Sequence, residues 1–201
     1  MEEFDKKLAQ FGILAKNGKL DIEYNKITIL VAKIEEINFQ KLQEAGIKEI
    51  CISESEIKYL YFFKWNAIKI YFRNCNFKNQ IIARKAYFKN EVKFQQCIFD
   101  AVVDFSKTKF DSRIVFLASV FKEEVRFIGA QFLAEQSNNE AIENIFEKIV
   151  FEERVFFGNA IFHTRVSFRI SQFKNEASFI GAIFHARVSF ASSHFKGEAR
   201  F

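Results

Sequence analysis

Along most of this chain the large apolar residues recur in steps of five and six, not every three or four positions. Phenylalanines stand at Phe88, Phe94, Phe99, Phe105, Phe110, Phe116, Phe121, Phe127 and Phe132, then again from Phe146 through Phe151, Phe157, Phe162, Phe168, Phe173, Phe179, Phe184, Phe190 and Phe195 to Phe201. The unit is eleven residues, roughly F-x-x-x-V-x-F-x-x-A-x-F. Two positions before each Phe sits a small or β-branched residue, such as Val103, Thr108, Ser119, Val125, Val166, Ser171 or Ala177. In extended chain two such residues share one face. The pattern therefore predicts short strands that place a small and a large residue inward and then turn. Spacings of five and six do not fit a period of 3.6, and Phe and Val favour strands, which sets aside a helical array. The inward set includes Phe99, Phe105, Phe110, Phe116, Phe121, Phe127, Phe162, Phe168, Phe173, Phe179, Phe184, Phe190 and Phe195.

A longer period lies above the short one. FHTRVSF at 162–168 returns as FHARVSF at 184–190, and FKNEASF at 173–179 returns as FKGEARF at 195–201. This 22-residue repeat holds four Phe, which predicts a coil with four sides and one inward Phe on each. Stacked coils would pair as parallel strands ~4.8 Å apart, so that residues one period apart lie above each other. These residues resemble the pentapeptide-repeat family, in its subgroup with Phe at the central inward position. The resemblance implies a mainly β fold, a right-handed four-sided parallel β-helix, over 88–201. Phe72 and Phe77 extend it backward, with Ala83 in a Phe site. The commonest family pattern repeats strictly every five residues around Leu. Here the extra residue at every second step is expected to widen a turn or form a bulge.

Two stretches break the repeat. Residues 1–65 read as a small N-terminal α/β cap before a solenoid over 66–201, because the end of a solenoid must be covered; a separate recognition module is the other reading. Phe4, Leu8, Phe11 and Leu14 line one helical face, with Gly18 placed to stop it. Ile27–Ile34 reads as a strand, Asn38 as the cap of a short helix ending near Gly46, and Ile47–Ile52 as another strand. Between Phe132 and Phe146 eight residues exceed the expected step. The inserted loop or short helix, near 133–145, would bulge from one corner, whether with a task or without one.

Composition sharpens this picture. The chain has 201 residues with 28 Phe, seven Gly and no Pro, the mark of one packing position filled many times. Its net charge of +5 belongs wholly to the stretch after residue 71, with both signs interspersed. That is weaker than the dense stripe of a dedicated nucleic-acid binder, so nucleic acid is not the expected partner. The acidic start and the lack of a long apolar run predict neither an export signal nor a membrane-spanning helix. Three scattered cysteines predict a reduced, cytoplasmic protein.

Candidate chemistry is sparse. His163 and His185 are one coil apart, too few to suggest a metal without a third ligand in their column. Arg165 stacks on Arg187 by the same spacing, and these four residues form the best candidate face for an acidic partner. By the same spacing Lys174 stacks on Lys196 and Glu176 on Glu198, and the face bearing these four can neutralise itself. Cys75 and Cys97 take the small inward site and are expected to be buried thiols. There is no phosphate loop, His-Glu-x-x-His, Cys-x-x-Cys or nucleophile elbow, and a rod packed with Phe offers no concave site. The expectation is a non-enzymatic module with no cofactor, acting in structure or protein–protein interaction. The alternatives are a DNA mimic acting on gyrase, which the resemblance raises and the basic charge argues against, and basic-surface binding to membrane or nucleic acid. Phe201 stands at an inward position of an unfinished coil, which suggests either end-to-end pairing of two copies or a missing continuation.

Overall fold

The computed structural model of the chain describes residues 3–133 and 143–201. Backbone pairing among these residues forms four sheets, one on each side of a β-solenoid of about eight coils of ~22 residues. The first face carries strands such as Lys69–Arg73, Val92–Gln95 and Ile114–Leu117; the second carries Asn76–Phe77, Ile98–Phe99 and Val120–Phe121. The third carries Ile81–Ile82, Val103–Asp104 and Val125–Arg126, and the fourth Tyr87–Phe88, Lys109–Phe110 and Gln131–Phe132. Successive coils pair in parallel and in register, with Phe94 opposite both Phe72 and Phe116.

Inside, each Phe lies flat on the Phe one coil away. Phe99 and Phe121 have ring centroids 4.4 Å apart and 6° from parallel; Phe127 and Phe157 are at 5.0 Å and 2°. The spacing follows from the separation of paired strands. Around a coil the rings meet edge to face instead, as Phe127 and Phe146 do at 5.5 Å and 87°. Both geometries suit the ring quadrupole. The interior is thus four aromatic columns without a lumen, and Phe88, Phe105, Phe116, Phe127 and Phe168 are fully buried.

The alternating steps correspond to two kinds of corner. Each five-residue step contains a residue in the left-handed region: Asn74, Gln96, Ala118, Lys148, Ile170 and Ser192 between the first and second faces, and Lys85, Lys107, Gly129, Asn159 and Gly181 between the third and fourth. Reversing φ there tightens the turn. The six-residue steps make the wider corners without one. At the first tight corner the small inward residue also satisfies backbone: Ser119 Oγ accepts from Cys97 N–H at 3.1 Å, and Ser171 Oγ from Ile149 N–H at 3.1 Å. A hydroxyl is therefore useful at a site that space alone would give to Ala.

The N-terminal region forms a helix-plus-strand cap, arranged differently from the sequence expectation. Helix α1 spans Glu3–Ala9 and stops there, because the chain turns at Gly12, whose φ of +76° and close approach to Lys41 admit no side chain. Leu14 consequently lies on the strand Ile13–Lys16 and is 48% exposed. Gly18 turns this strand toward Lys19–Glu23. The stretch read as one strand over Ile27–Ile34 is two, Lys26–Leu30 and Lys33–Asn38, bent at left-handed Val31. Parallel pairing with the solenoid begins with them, at Lys26 with Glu49 and Lys33 with Glu56. Helix α2, Phe39–Glu44, begins at Asn38, whose Oδ1 accepts from Lys41 N–H at 3.2 Å. It buries Phe39 and Leu42. Phe39 stacks on Phe62, which contacts Phe88 and approaches Phe105, so Phe62 fills the space that Ala83 leaves in the third column.

Residues 134–142 of the insertion lie outside the described residues. The coil resumes at the strand Glu143–Glu147, and Phe146 rejoins the stack at 5.6 Å and 27° from Phe116. Asn144 occupies an inward site that other coils give to Ile or Val, and it is fully buried. Its Oδ1 accepts from Ile114 N–H at 3.0 Å and its Nδ2 donates to Thr164 at 2.9 Å. The side chain thus supplies the acceptor for Ile114 that carbonyls supply for Val92 and Val125.

Two substitutions separate these roles in urea unfolding. Phe127→Ala is expected to cost about 3–5 kcal/mol, through lost contacts on several sides. Asn144→Ala is expected to cost about 1–3 kcal/mol by orphaning the Ile114 N–H.

Candidate interaction surface

Because each coil repeats the corners of the last, outward side chains fall into columns, and the charged columns alternate in sign. At the start of the first face the sequence of coils reads Lys26, Glu49, Lys69, Glu91, Arg113, Glu143 and Arg165. Lys26 pairs with Glu49 at 2.8 Å and Arg113 with Glu91 at 2.9 Å. After the second face a column alternates through Lys78, Asp100, Lys122, Glu152 and Lys174, with ion pairs of 2.9, 2.7 and 2.8 Å, while at its ends Lys58 precedes Lys78 and Lys196 follows Lys174 with the same sign. Near the third face, Glu124 bridges Arg126 and Arg154. Exposed pairs of this kind add little stability, because solvent screens them. Their larger effect is to leave the surface patterned but locally neutral.

The alternation breaks at Arg165 and Arg187, which follow each other in one column and both point outward. Neither forms an ion pair with a described residue. Beside them His163 and His185 lie ring on ring, with centroids 4.9 Å apart and 21° from parallel. The structure thus brings together the four residues that the 22-residue spacing selects. Parallel stacking turns the imidazole planes alongside each other, and among the described residues no group of three or more His, Cys, Asp or Glu side chains could hold a metal. On the fourth face Ile161 and Ile183 pair in register next to the histidines, with Ile183 exposed. Two coils therefore present an apolar, an imidazole and a guanidinium column side by side. Leu133 and Glu143, on either side of the insertion, occupy the coil directly preceding this face.

Cys75 and Cys97 are buried free thiols. Burial pushes the Cys97 thiol well up, and the contact with Cys75 adds to this, so it stays protonated. Cys51, half-buried on the strand Glu49–Ser53, is also free and is raised to about 11, chiefly by burial and then by its bond to Glu49.

Asp104 is the one carboxylate side chain that an outward strand position almost wholly buries, at 3% exposure among the ion-paired residues described. Burial opposes its charge. Hydrogen bonds from Ser106 and from the Arg84 guanidinium, at 2.6 Å, outweigh this and hold its pKa below the ordinary value. Sequence reasoning missed this cluster, and also the stacked Trp65 and Tyr87 on the fourth face, although Trp65 and Tyr87 are one coil apart.

Compared with known protein families, with curated proteins and with solved structures, the chain finds no match. The β-solenoid with regularly spaced Phe is consistent with a protein of the pentapeptide-repeat type. Among the described residues no helix is long and apolar enough to cross a membrane.

A carboxylate with a depressed pKa stabilises the fold above the ordinary carboxylate range and loses that contribution as pH falls through the lowered value. Wild type is therefore expected to lose more unfolding free energy than Asp104→Asn on going from about pH 7 to about pH 3. Urea titrations at the two pH values check this; equal losses would remove Asp104 from the acid response.

Proposed function

We propose that the chain is a non-catalytic scaffold of the Phe-centred pentapeptide-repeat type. It works by presenting outward columns to a protein partner, in the cytoplasm, and it needs no cofactor. The observation that carries this reading is the contrast among its charged columns. Those around Asp100 and Glu124 are closed by their own ion pairs, whereas Arg165 and Arg187 have no such partner among the described residues and stand beside stacked imidazoles and exposed Ile183. An apolar strip next to exposed guanidinium groups suits an acidic protein surface, because Arg takes carboxylates in a bidentate fork and apolar contact adds affinity. Fold-level resemblance lends a prior for such a role and no more. The charge arrangement does not favour mimicry of DNA, which asks for continuous negative columns where these alternate.

Affinity capture from lysate of the source cell, with wild type and the Arg165→Glu/Arg187→Glu variant, tests the reading. The expected result is a specific acidic protein held by wild type and lost from the variant. Retention of the same proteins by both would remove this face from the function.

A further inference from the structure

The fold sorts charges that the sequence interleaves. On the tight corner between the third and fourth faces, Lys85 and Lys107 occupy successive left-handed positions and are exposed. Lys109 follows on the fourth face, in the column headed by Trp65 and Tyr87. None of these three lysines forms an ion pair with a described residue. Two described acidic groups nearby are engaged elsewhere: Asp104 is held by Arg84 and Arg126, and Asp111 accepts the Tyr87 hydroxyl. The corner is also concave, a cleft of about 300 Å³ lined by Arg84, Lys85, Ser106, Lys107, Arg126 and Ile128.

At the head of this basic column stands a flat aromatic platform. Trp65 and Tyr87 stack at 4.2 Å with their planes 9° apart, and Trp65 is 50% exposed. Trp65–Asn66 is the last strand of the fourth face among the described residues, and helix α2 meets its backbone through Gln43, which donates to Trp65 C=O at 2.9 Å and leaves the indole half exposed. The platform is rigid, because Asn66 beside it is fully buried and hydrogen-bonds the Phe63 backbone through both ends of its amide. Exposed Phe63 stands in the same turn.

We infer that this corner and face form a binding surface for single-stranded nucleic acid. The lysines would follow the phosphates, and a base would stack on the exposed part of the Trp65 indole. This combination of a basic track and aromatic platforms is how proteins hold single strands without reading sequence. An acidic polypeptide would satisfy the lysines and leave the indole unused. A duplex would do the same, since its bases are already stacked. The site is separate from the Arg165 and Arg187 face, and the inference does not rest on the protein-scaffold reading.

Trp65 is the only tryptophan in the chain, so its fluorescence reports on the platform directly. A labelled single-stranded DNA and a single-stranded RNA oligonucleotide, each about 20 nucleotides long, are titrated with the full chain at low salt, in parallel with a duplex and with heparin. The expected result is single-strand binding that quenches Trp65, weakens steeply with added salt, and is tighter than duplex binding. Trp65→Ala is expected to weaken it roughly tenfold, the scale of one lost stacking contact. Lys85→Glu/Lys107→Glu is expected to weaken it at least as much and to lower the salt slope, while Arg165→Glu/Arg187→Glu leaves it unchanged. Circular dichroism confirms that each variant is folded. No binding at low salt would overturn the inference. So would equal binding of heparin and duplex without Trp65 quenching, because charge alone would then explain it.

Discussion

The whole molecule depends on one repeated contact, a phenylalanine ring lying flat on another ring one coil away. Strand pairing sets the distance between coils, and an aromatic ring of ordinary thickness, slightly offset, fills that distance. Four such columns, meeting edge to face, close the interior. Toward the N-terminus the first two columns continue with isoleucine, Ile52 opposite Phe72 and Ile57 opposite Phe77, so ring-on-ring contact belongs to the coils from Phe72 onward. The contact tolerates local failure where a substitute is at hand. Ala83 leaves a gap that Phe62 enters from the preceding turn, and the insertion after Leu133 shifts Phe146 to 27° from Phe116 without ending the column.

From that constraint the surface follows. A chain that must return to the same corner in every coil lays equivalent outward residues in lines, so a charge repeated at that spacing would repel itself all along the rod. Alternation solves this at Lys78, Asp100 and Lys122. Where alternation lapses, the rod acquires a surface with something left to bind. Like charges meet at Lys58 and Lys78 and at Lys174 and Lys196, where Lys58, Lys78 and Lys174 are ion-paired, whereas Arg165 and Arg187 in one place, and Lys85, Lys107 and Lys109 in another, form no ion pair with a described residue. The two places differ in their neighbours, isoleucine and imidazole at the first and stacked aromatic rings at the second. That difference in neighbours separates a protein-binding reading from a nucleic-acid one.

How much of this the sequence discloses depends on what repeats. The inward Phe residues are legible because each fills the same site, and the stacking of His163 on His185 follows from counting alone. The cap is less legible, because its apolar spacing runs on past the point where backbone geometry ends the helix. Phe4, Leu8, Phe11 and Leu14 continue a helical stripe, but Gly12 is held at φ +76° against Lys41. The bend at Val31 gives no signal at all, since a β-branched residue rarely adopts a left-handed conformation. The same holds for the tight corners at Gln96, Ala118 and Ile170, where no glycine announces the turn. The basic corner escaped notice for another reason. Net charge averages over a sequence, whereas the coil gathers residues from successive turns onto one line.

Removing one full coil tests the central contact most directly. Deletion of residues 92–113 would bring Phe72 onto Phe116, Phe77 onto Phe121 and Phe88 onto Phe132, with every corner still in phase. Urea unfolding followed by circular dichroism should show a folded β protein that unfolds in one cooperative transition. The shorter deletion of residues 92–108, which turns the following coils by one side, should not fold. Loss of structure in the full-coil deletion, or equal stability of the two, would contradict the account.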